Sequence, residues 1–199
     1  MSVAFANSET KDNLMRAFAG ESQARNRYTF AAAQAKKEKL QVVEAVFQFT
    51  AGQEKEHAEV FYNHLRELSG QNLRVDGTYP VDFSASVAQL LRMAQHNEYE
   101  EHEPVYRDFA ETAKREGFHK VASSFQLIAA IEKMHGDRFG HLADLMEQGK
   151  LFLSDVACGW MCLHCGHVFE GKGAPESCPV CGSDQGYFIR LTMAPYTGK

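Results

Sequence analysis

The chain has 199 residues, with 21 lysines and arginines, 26 aspartates and glutamates, and a formal net charge of −5 when its nine histidines are neutral. A content of 44% hydrophobic and 24% charged residues excludes a disordered chain. The mildly acidic balance predicts no nucleic-acid partner, and no apolar run reaches the roughly 18 residues of a membrane span. We expect a cytoplasmic protein, because the first residues lack the charged and apolar segments of an export signal.

Hydrophobic residues recur at helical spacing in four successive stretches before Lys150. The links between the first and second stretches and between the third and fourth are short, whereas the second-to-third link runs from Gly70 to about Phe83. Two helical hairpins joined by one long crossover are typical of a ferritin-like four-helix bundle. The four stretches are Leu14–Ala35, Val43–Leu68, Val87–Phe109 and Val121–Met146.

All five cysteines lie between Cys158 and Cys181, in a segment where the helical period has stopped. We therefore expect two domains, a bundle over residues 1–153 and a small, loop-rich module over residues 154–199. A module of about 40 residues is too small to be stable on its core alone, and a metal ion commonly supplies the missing stability. The fold class is mainly α, with a metal-bound module after the bundle.

Ionisable residues interrupt each apolar stripe at the positions that face the core. Buried ionisable groups are costly unless they are paired or bind a metal. One Glu from each of two helices, with Glu-x-x-His from the other two, is the pattern of di-iron carboxylate bundles. The residues are Glu21, Glu54, His57, Glu98, Glu101, Glu132 and His135.

Spacing distinguishes this pattern from a solvated helix face, which is the usual explanation of a single Glu-x-x-His. Glu54-x-x-His57 is repeated as Glu132-x-x-His135, and each is preceded by another glutamate at 33 or 34 residues. Residues three apart share a helix face, so both members can reach the same metal pair. We therefore predict a two-metal site.

Two tyrosines near these glutamates, Tyr28 and Tyr106, are candidates to hydrogen-bond the ligand carboxylates. A packed tyrosine without such a role is the alternative at both positions.

The C-terminal cysteines form two C-x-x-C knuckles separated by 12 residues. Four thiolates at this spacing can surround one metal ion tetrahedrally. Iron and zinc both suit such a site. The ligands are Cys162, Cys165, Cys178 and Cys181, and Cys158 is left as a free thiol.

The chain resembles rubrerythrin over nearly its whole length. The resemblance is carried by the segment from Ala17 to Tyr28, the Gln53-Glu54-Lys55-Glu56-His57-Ala58 motif, and the two knuckles with Gly173-Ala174-Pro175-Glu176 between them. It implies a ferritin-like di-iron domain followed by a rubredoxin-like domain. It further implies two iron ions in the bundle and one bound by the cysteines, for which zinc could substitute.

The resemblance also implies roles for individual ligands. Glu54 and Glu132 would bridge the irons, Glu21 would bind the first, and Glu98 with His135 the second. Glu101 would be an additional carboxylate that exchanges with His57 at the first iron when the oxidation state changes. Pro104 departs from the family pattern just beyond Glu101 and puts the geometry of that exchange in question.

The implied function is a peroxidase that reduces hydrogen peroxide to water and protects against oxidative stress. The resemblance places Glu101, His57, Tyr28 and Tyr106 in the catalytic machinery. Electrons would come from rubredoxin or an NAD(P)H-dependent reductase through the cysteine-bound iron, and a homodimer or larger assembly is expected. Two alternatives stay open: an oxidase or ferroxidase that uses O₂ at the same site, and a zinc- or iron-binding electron-transfer protein without peroxide turnover.

Overall fold

Serine caps start the first helix of each helical hairpin. The computed structural model describes residues 3–195 and 197. The Ser8 hydroxyl accepts a hydrogen bond from the backbone N–H of Lys11 (3.1 Å), and that of Ser86 accepts from Gln89 (3.4 Å). The five helices are α1 (Glu9–Lys37), α2 (Gln41–His64), α3 (Val87–Glu100), α4 (Tyr106–Glu116) and α5 (His119–Glu147).

The helices form the predicted ferritin-like bundle of two hairpins. α1 and α2 are joined by three residues, and α4 and α5 are joined at Gly117, whose φ of +90° ends α4 in the left-handed region. The long crossover between α2 and α3 contains a single short 3₁₀ turn, Arg66–Leu68. Among the described residues, no helix contains an apolar stretch long enough to cross a membrane.

The third predicted helix is broken into two pieces. α3 ends at Glu100, and residues Glu101–Val105 form a wide turn in which Glu103 leaves the helical conformation (φ −155°, ψ 118°). Pro104 explains the break, because proline has no backbone N–H and its ring clashes with the preceding helical turn. Glu101 therefore lies at the end of α3, next to the turn.

The bundle contains two hydrophobic clusters separated along the helix axes. One is centred on Phe47 and Phe139, whose ring centroids are 5.1 Å apart. The other is centred on Phe61 and Phe125, at 4.9 Å. Along each helix, the glutamates and histidines of the predicted metal site fall between the residues of the two clusters. The fold thus places a polar layer at the centre of the bundle.

The C-terminal module is a small antiparallel sheet that packs on one end of the bundle. Its strands β1 (Leu153–Cys162), β2 (Val168–Gly173) and β3 (Phe188–Arg190) have the order β2–β1–β3. The buried indole of Trp160 donates to the Gly171 carbonyl (3.0 Å). Ile189 packs into the bundle cluster around Phe47, so the module and the bundle share apolar contacts.

Gly186 makes the closest approach between the module and the α1–α2 link. A Cβ atom at this position would lie 1.9 Å from the Lys39 carbonyl oxygen. Because that oxygen belongs to the backbone, a rotamer change cannot relieve the clash.

We expect Gly186→Ala to loosen the module from the bundle and to destabilise the protein by about 1–3 kcal/mol. Thermal unfolding of zinc-loaded protein measures this, with fluorescence of the single tryptophan, Trp160, reporting on the module and circular dichroism reporting on the helices. Gly52→Ala is the control, because nothing lies within 4 Å of its Cβ position. It should be neutral or stabilising by up to about 1 kcal/mol. Equal stability of the Gly186→Ala variant and the parent protein would contradict the proposed contact.

Candidate metal centres

Six ionisable side chains converge in the polar layer between the two hydrophobic clusters. They fall into two groups of four, and Glu54 and Glu132 belong to both. Within each group the ligand atoms lie within 4.8 Å of one another. The six are Glu21 from α1, Glu54 and His57 from α2, Glu98 from α3, and Glu132 and His135 from α5, and all are buried. The shared carboxylates are thus placed to bridge two cations.

The unpartnered atoms of this cluster fit a pair of metal ions. Nδ1 of His135 lies 2.8 Å from Oε2 of Glu132 and 3.0 Å from Oε1 of Glu54, yet none of these three atoms makes a geometrically acceptable hydrogen bond. One oxygen each of Glu21 and Glu98 is also buried without a partner. Buried polar atoms are normally satisfied, so this convergence indicates that a cation belongs among them. Imidazole nitrogen and carboxylate oxygen together suit iron, with other divalent metals also accommodated.

Two tyrosines hold the terminal carboxylates from opposite sides of the layer. Tyr106 donates its hydroxyl to Oε1 of Glu21 at 2.5 Å, and Tyr28 donates to Oε1 of Glu98. Both tyrosines are buried, and each packs in a different hydrophobic cluster. In each glutamate the hydroxyl occupies one oxygen and leaves the other free, which fixes the carboxylate orientation.

A glutamine and an arginine that the sequence analysis did not identify orient His135. Nε2 of His135 donates to Oε1 of Gln53 (3.1 Å), which leaves Nδ1 facing the carboxylates. Nη1 of Arg138 donates to the same Gln53 oxygen (3.2 Å) and to the Thr50 hydroxyl (3.0 Å). Arg138 thereby determines which end of the Gln53 amide faces the histidine. The available signal was position alone: each residue is one helical step or one turn from a predicted ligand.

Glu101 lies beside the cluster and belongs to neither group of four. Its side chain is half-buried and borders a cavity that extends toward the crossover. Burial, together with the nearby carboxylates of Glu132 and Glu54, raises the pKa of Glu101 to about 8. The structure thus brings His57 into the cluster and leaves Glu101 at its edge.

Without a cation, the cluster must retain protons to limit repulsion between its carboxylates. Burial and neighbouring carboxylates raise the pKa of Glu21 and of Glu98 well above the usual range. Burial disfavours the charged form of His57, but the carboxylates of Glu132 and Glu54 outweigh it and raise its pKa to about 9. Two divalent cations would neutralise the carboxylates in place of these protons.

The four cysteines of the C-terminal knuckles also converge on one point. The Sγ atoms of Cys162 and Cys181 are 3.8 Å apart, and those of Cys165 and Cys178 are 3.6 Å apart. A tetrahedral metal with bonds of about 2.3 Å places its sulfurs about 3.8 Å apart. The site therefore fits a single zinc or iron ion. Cys165 and Cys181 are exposed, so one edge of this centre faces the surface.

We expect the metal-free protein to lose stability as the pH rises from about 6 to about 9. Groups whose pKa is raised on folding stabilise the fold below their unfolded pKa, and this contribution disappears as the pH rises through the folded pKa. Glu21, Glu98 and His57 all have raised pKa values, so their effects have the same sign over this range.

The measurement is the unfolding midpoint by circular dichroism in the presence of a chelator. Metal-loaded protein is the control and should show a smaller pH dependence, because cations replace the protons. A metal-free midpoint that rises between these pH values would contradict the electrostatic account.

Comparisons with known proteins agree with both centres. The Rubrerythrin family model matches residues 12–143, and the model for the rubrerythrin rubredoxin-like domain matches residues 160–189. Rubrerythrin-1 of Clostridium acetobutylicum is 44% identical over 186 residues, covering 92% of this chain and 95% of that protein. The rubrerythrin of Porphyromonas gingivalis is 42% identical over 188 residues, covering 94% and 92%.

A solved structure of nigerythrin in a partially reduced state aligns with a TM-score of 0.62 at 25% identity, over 93% of this chain and 90% of that one. The match to the family model over most of the bundle and the identities above 40% agree with the motifs noted in the sequence. The chain therefore belongs to the rubrerythrin family and combines its di-iron and rubredoxin-like domains.

Proposed function

We propose that this chain is a peroxidase that converts hydrogen peroxide, two protons and two electrons into two molecules of water. The observation that carries the proposal is the buried cluster of unpartnered carboxylate and imidazole atoms. A second, partly exposed four-cysteine centre in the same chain supports a redox reaction. Membership of the rubrerythrin family supports assignment as an oxidoreductase.

Iron is the metal that we propose for both centres. Two iron ions would be held by the two groups of four ligands in the bundle, and a third by the cysteines. Iron in the bundle would supply the two electrons that the reaction consumes.

The protein groups around the cluster position the ligands and supply protons. The hydroxyls of Tyr106 and Tyr28 orient the carboxylates of Glu21 and Glu98. The Glu101 carboxyl, with its pKa raised to about 8, is suited to hold a proton near neutral pH and to release it toward a departing oxygen. We assign Glu101 this proton-carrying role.

An exchange between Glu101 and His57 stays a proposal based on the family resemblance. The arrangement described here has His57 within the cluster and Glu101 at its edge. Glu101 is attached at the end of α3, beside the turn at Pro104, where the backbone is no longer constrained by a continuous helix.

The peroxidase proposal predicts that hydrogen peroxide oxidises the fully reduced, iron-loaded protein at least about tenfold faster than O₂. Stopped-flow absorbance of the cysteine-bound iron is the measurement. Glu54→Gln should slow this reaction by more than about 100-fold, because even the loss of outer contacts to a metal site costs about 10–100-fold. Glu59→Gln, an exposed glutamate on the same helix, is the matched control and should react like the parent protein.

Other outcomes of this experiment would separate the alternatives. Faster oxidation by O₂ would assign the site to an oxidase. No oxidation by either reagent would favour a metal-binding protein without turnover.

We further propose that electrons reach the bundle between chains of a head-to-tail homodimer. The C-terminal module contacts the α1–α2 link, and Gln41 at that end of α2 is about 20 Å along the helix from Glu54. Electron transfer slows steeply with distance, so a partner chain whose module lies closer would transfer faster. The donor that we propose is rubredoxin or an NAD(P)H-dependent reductase, acting in the cytoplasm, where the cysteines stay reduced.

Mixed dimers test transfer between chains. One chain carries Cys162→Ser and the other carries Glu54→Gln, so the intact cysteine centre and the intact bundle centre lie on different chains. We expect this dimer to reduce peroxide, measured as turnover with a reduced donor. The control combines both substitutions in one chain beside an unaltered partner and should be inactive. The reverse result would show that electrons move within one chain.

A further inference from the structure

A cavity of about 460 Å³ lies between α1, the crossover and the turn that follows α3. Its volume is in the range of pockets that hold small organic molecules. Hydrogen peroxide, with two non-hydrogen atoms, requires only a small part of that space. The size of the cavity therefore raises the question of what larger molecule it suits.

One wall of the cavity belongs to the predicted reaction site. Glu101 borders it directly, and so does Tyr106, whose hydroxyl binds the Glu21 carboxylate. Gly20, the residue before Glu21, is part of the same wall. A molecule in this cavity lies against the edge of the cluster.

The cavity is amphipathic. Gln23 lines it, and its amide nitrogen is buried without a hydrogen-bond partner among residues 3–195 and 197. The Gln23 oxygen accepts from Nε of Arg27 (2.7 Å), so the amide orientation is set and the nitrogen is the free donor. The remaining wall is mostly apolar and includes Ala17, Tyr79, Pro80, Val105 and Phe109.

The crossover closes the cavity as a fixed wall. Arg16 pairs with Asp76 (2.8 Å), and Arg27 with Asp82 (2.7 Å), so α1 holds this segment at two points. Between them, the Tyr79 hydroxyl donates to the Arg16 carbonyl (2.9 Å). The Tyr79 ring lies over Gly20, with Cε1 3.6 Å from the position of a Cβ atom there. Tyr79 thus presents an aromatic face next to the reaction site.

We propose that this cavity binds small alkyl hydroperoxides, with the hydroperoxy group toward Glu101 and Gln23 and the alkyl group against Tyr79. An apolar wall has no use for hydrogen peroxide but matches a substrate with one apolar end. The inference rests on the proposed peroxidase function and extends its substrate class.

The reaction balances in the same way as that of hydrogen peroxide. The O–O bond of the hydroperoxide breaks, and two electrons from the donor and two protons yield one alcohol and one water. No co-reactant beyond the electron donor already proposed is needed.

The kinetic test compares tert-butyl hydroperoxide with hydrogen peroxide as oxidants of the reduced, iron-loaded protein. We expect turnover of both. Tyr79→Ala should raise KM for the alkyl substrate about tenfold, equivalent to about 1.4 kcal/mol, and change KM for hydrogen peroxide by less than about twofold. Tyr79→Phe keeps the ring without its hydroxyl and should behave like the parent protein. Phe83→Ala, which removes an exposed aromatic ring from the same crossover outside this cavity, is the matched control.

A binding measurement independent of turnover uses tert-butyl alcohol and zinc-loaded protein. Titration should shift the amide resonances of Gly20, Gly77 and Tyr79, and Tyr79→Ala should weaken the binding.

The outcomes separate this inference from the function on which it rests. Reduction of hydrogen peroxide without reduction of tert-butyl hydroperoxide would overturn the alkyl-hydroperoxide site and leave the peroxidase proposal intact. Equal effects of Tyr79→Ala on both substrates would also overturn it. Failure to reduce either peroxide would overturn the peroxidase proposal itself.

Discussion

Four carboxylates and two imidazoles buried in one layer form the constraint on which the bundle depends. Burial of like charges in an apolar interior is costly, and the raised pKa values of Glu21 and Glu98 express that cost in the metal-free state. Hydrophobic clusters on both sides of the layer provide the packing that holds the six side chains together. Cations then turn mutual repulsion into ligation, so the same groups that destabilise the empty bundle stabilise the loaded one.

The position of Glu101 connects local backbone structure with chemistry. A continuous helix would present Glu101 one turn beyond Glu98, on nearly the same face. The turn at Pro104 ends that helix, and Glu101 borders the cavity beside the cluster. A carboxyl in this place, with its pKa raised to about 8, can serve a molecule in the cavity as well as the metal site.

The crossover has a structural and a functional consequence. Its length allows the two helical hairpins to associate in the ferritin-like arrangement, and its ion pairs with Arg16 and Arg27 hold it against α1. These contacts place Tyr79 next to the reaction site, although Tyr79 lies 25 residues from the nearest predicted ligand before it in the sequence, Glu54 by way of the Asn63–Arg74 region being no closer than His57. The segment that solves the topology therefore also forms a wall of the cavity.

The sequence by itself determined the bundle, the six cluster ligands and the four cysteines. All of these follow from periodicity or short spacing: residues three or four apart share a helix face, and paired C-x-x-C knuckles can enclose one ion. The tertiary structure decided the break at Pro104, the orientation of Gln53 by Arg138, and the packing of Gly186 against Lys39. These features depend on contacts between residues far apart in the chain, or on whether a proline bends or ends a helix, and neither leaves a periodic signal.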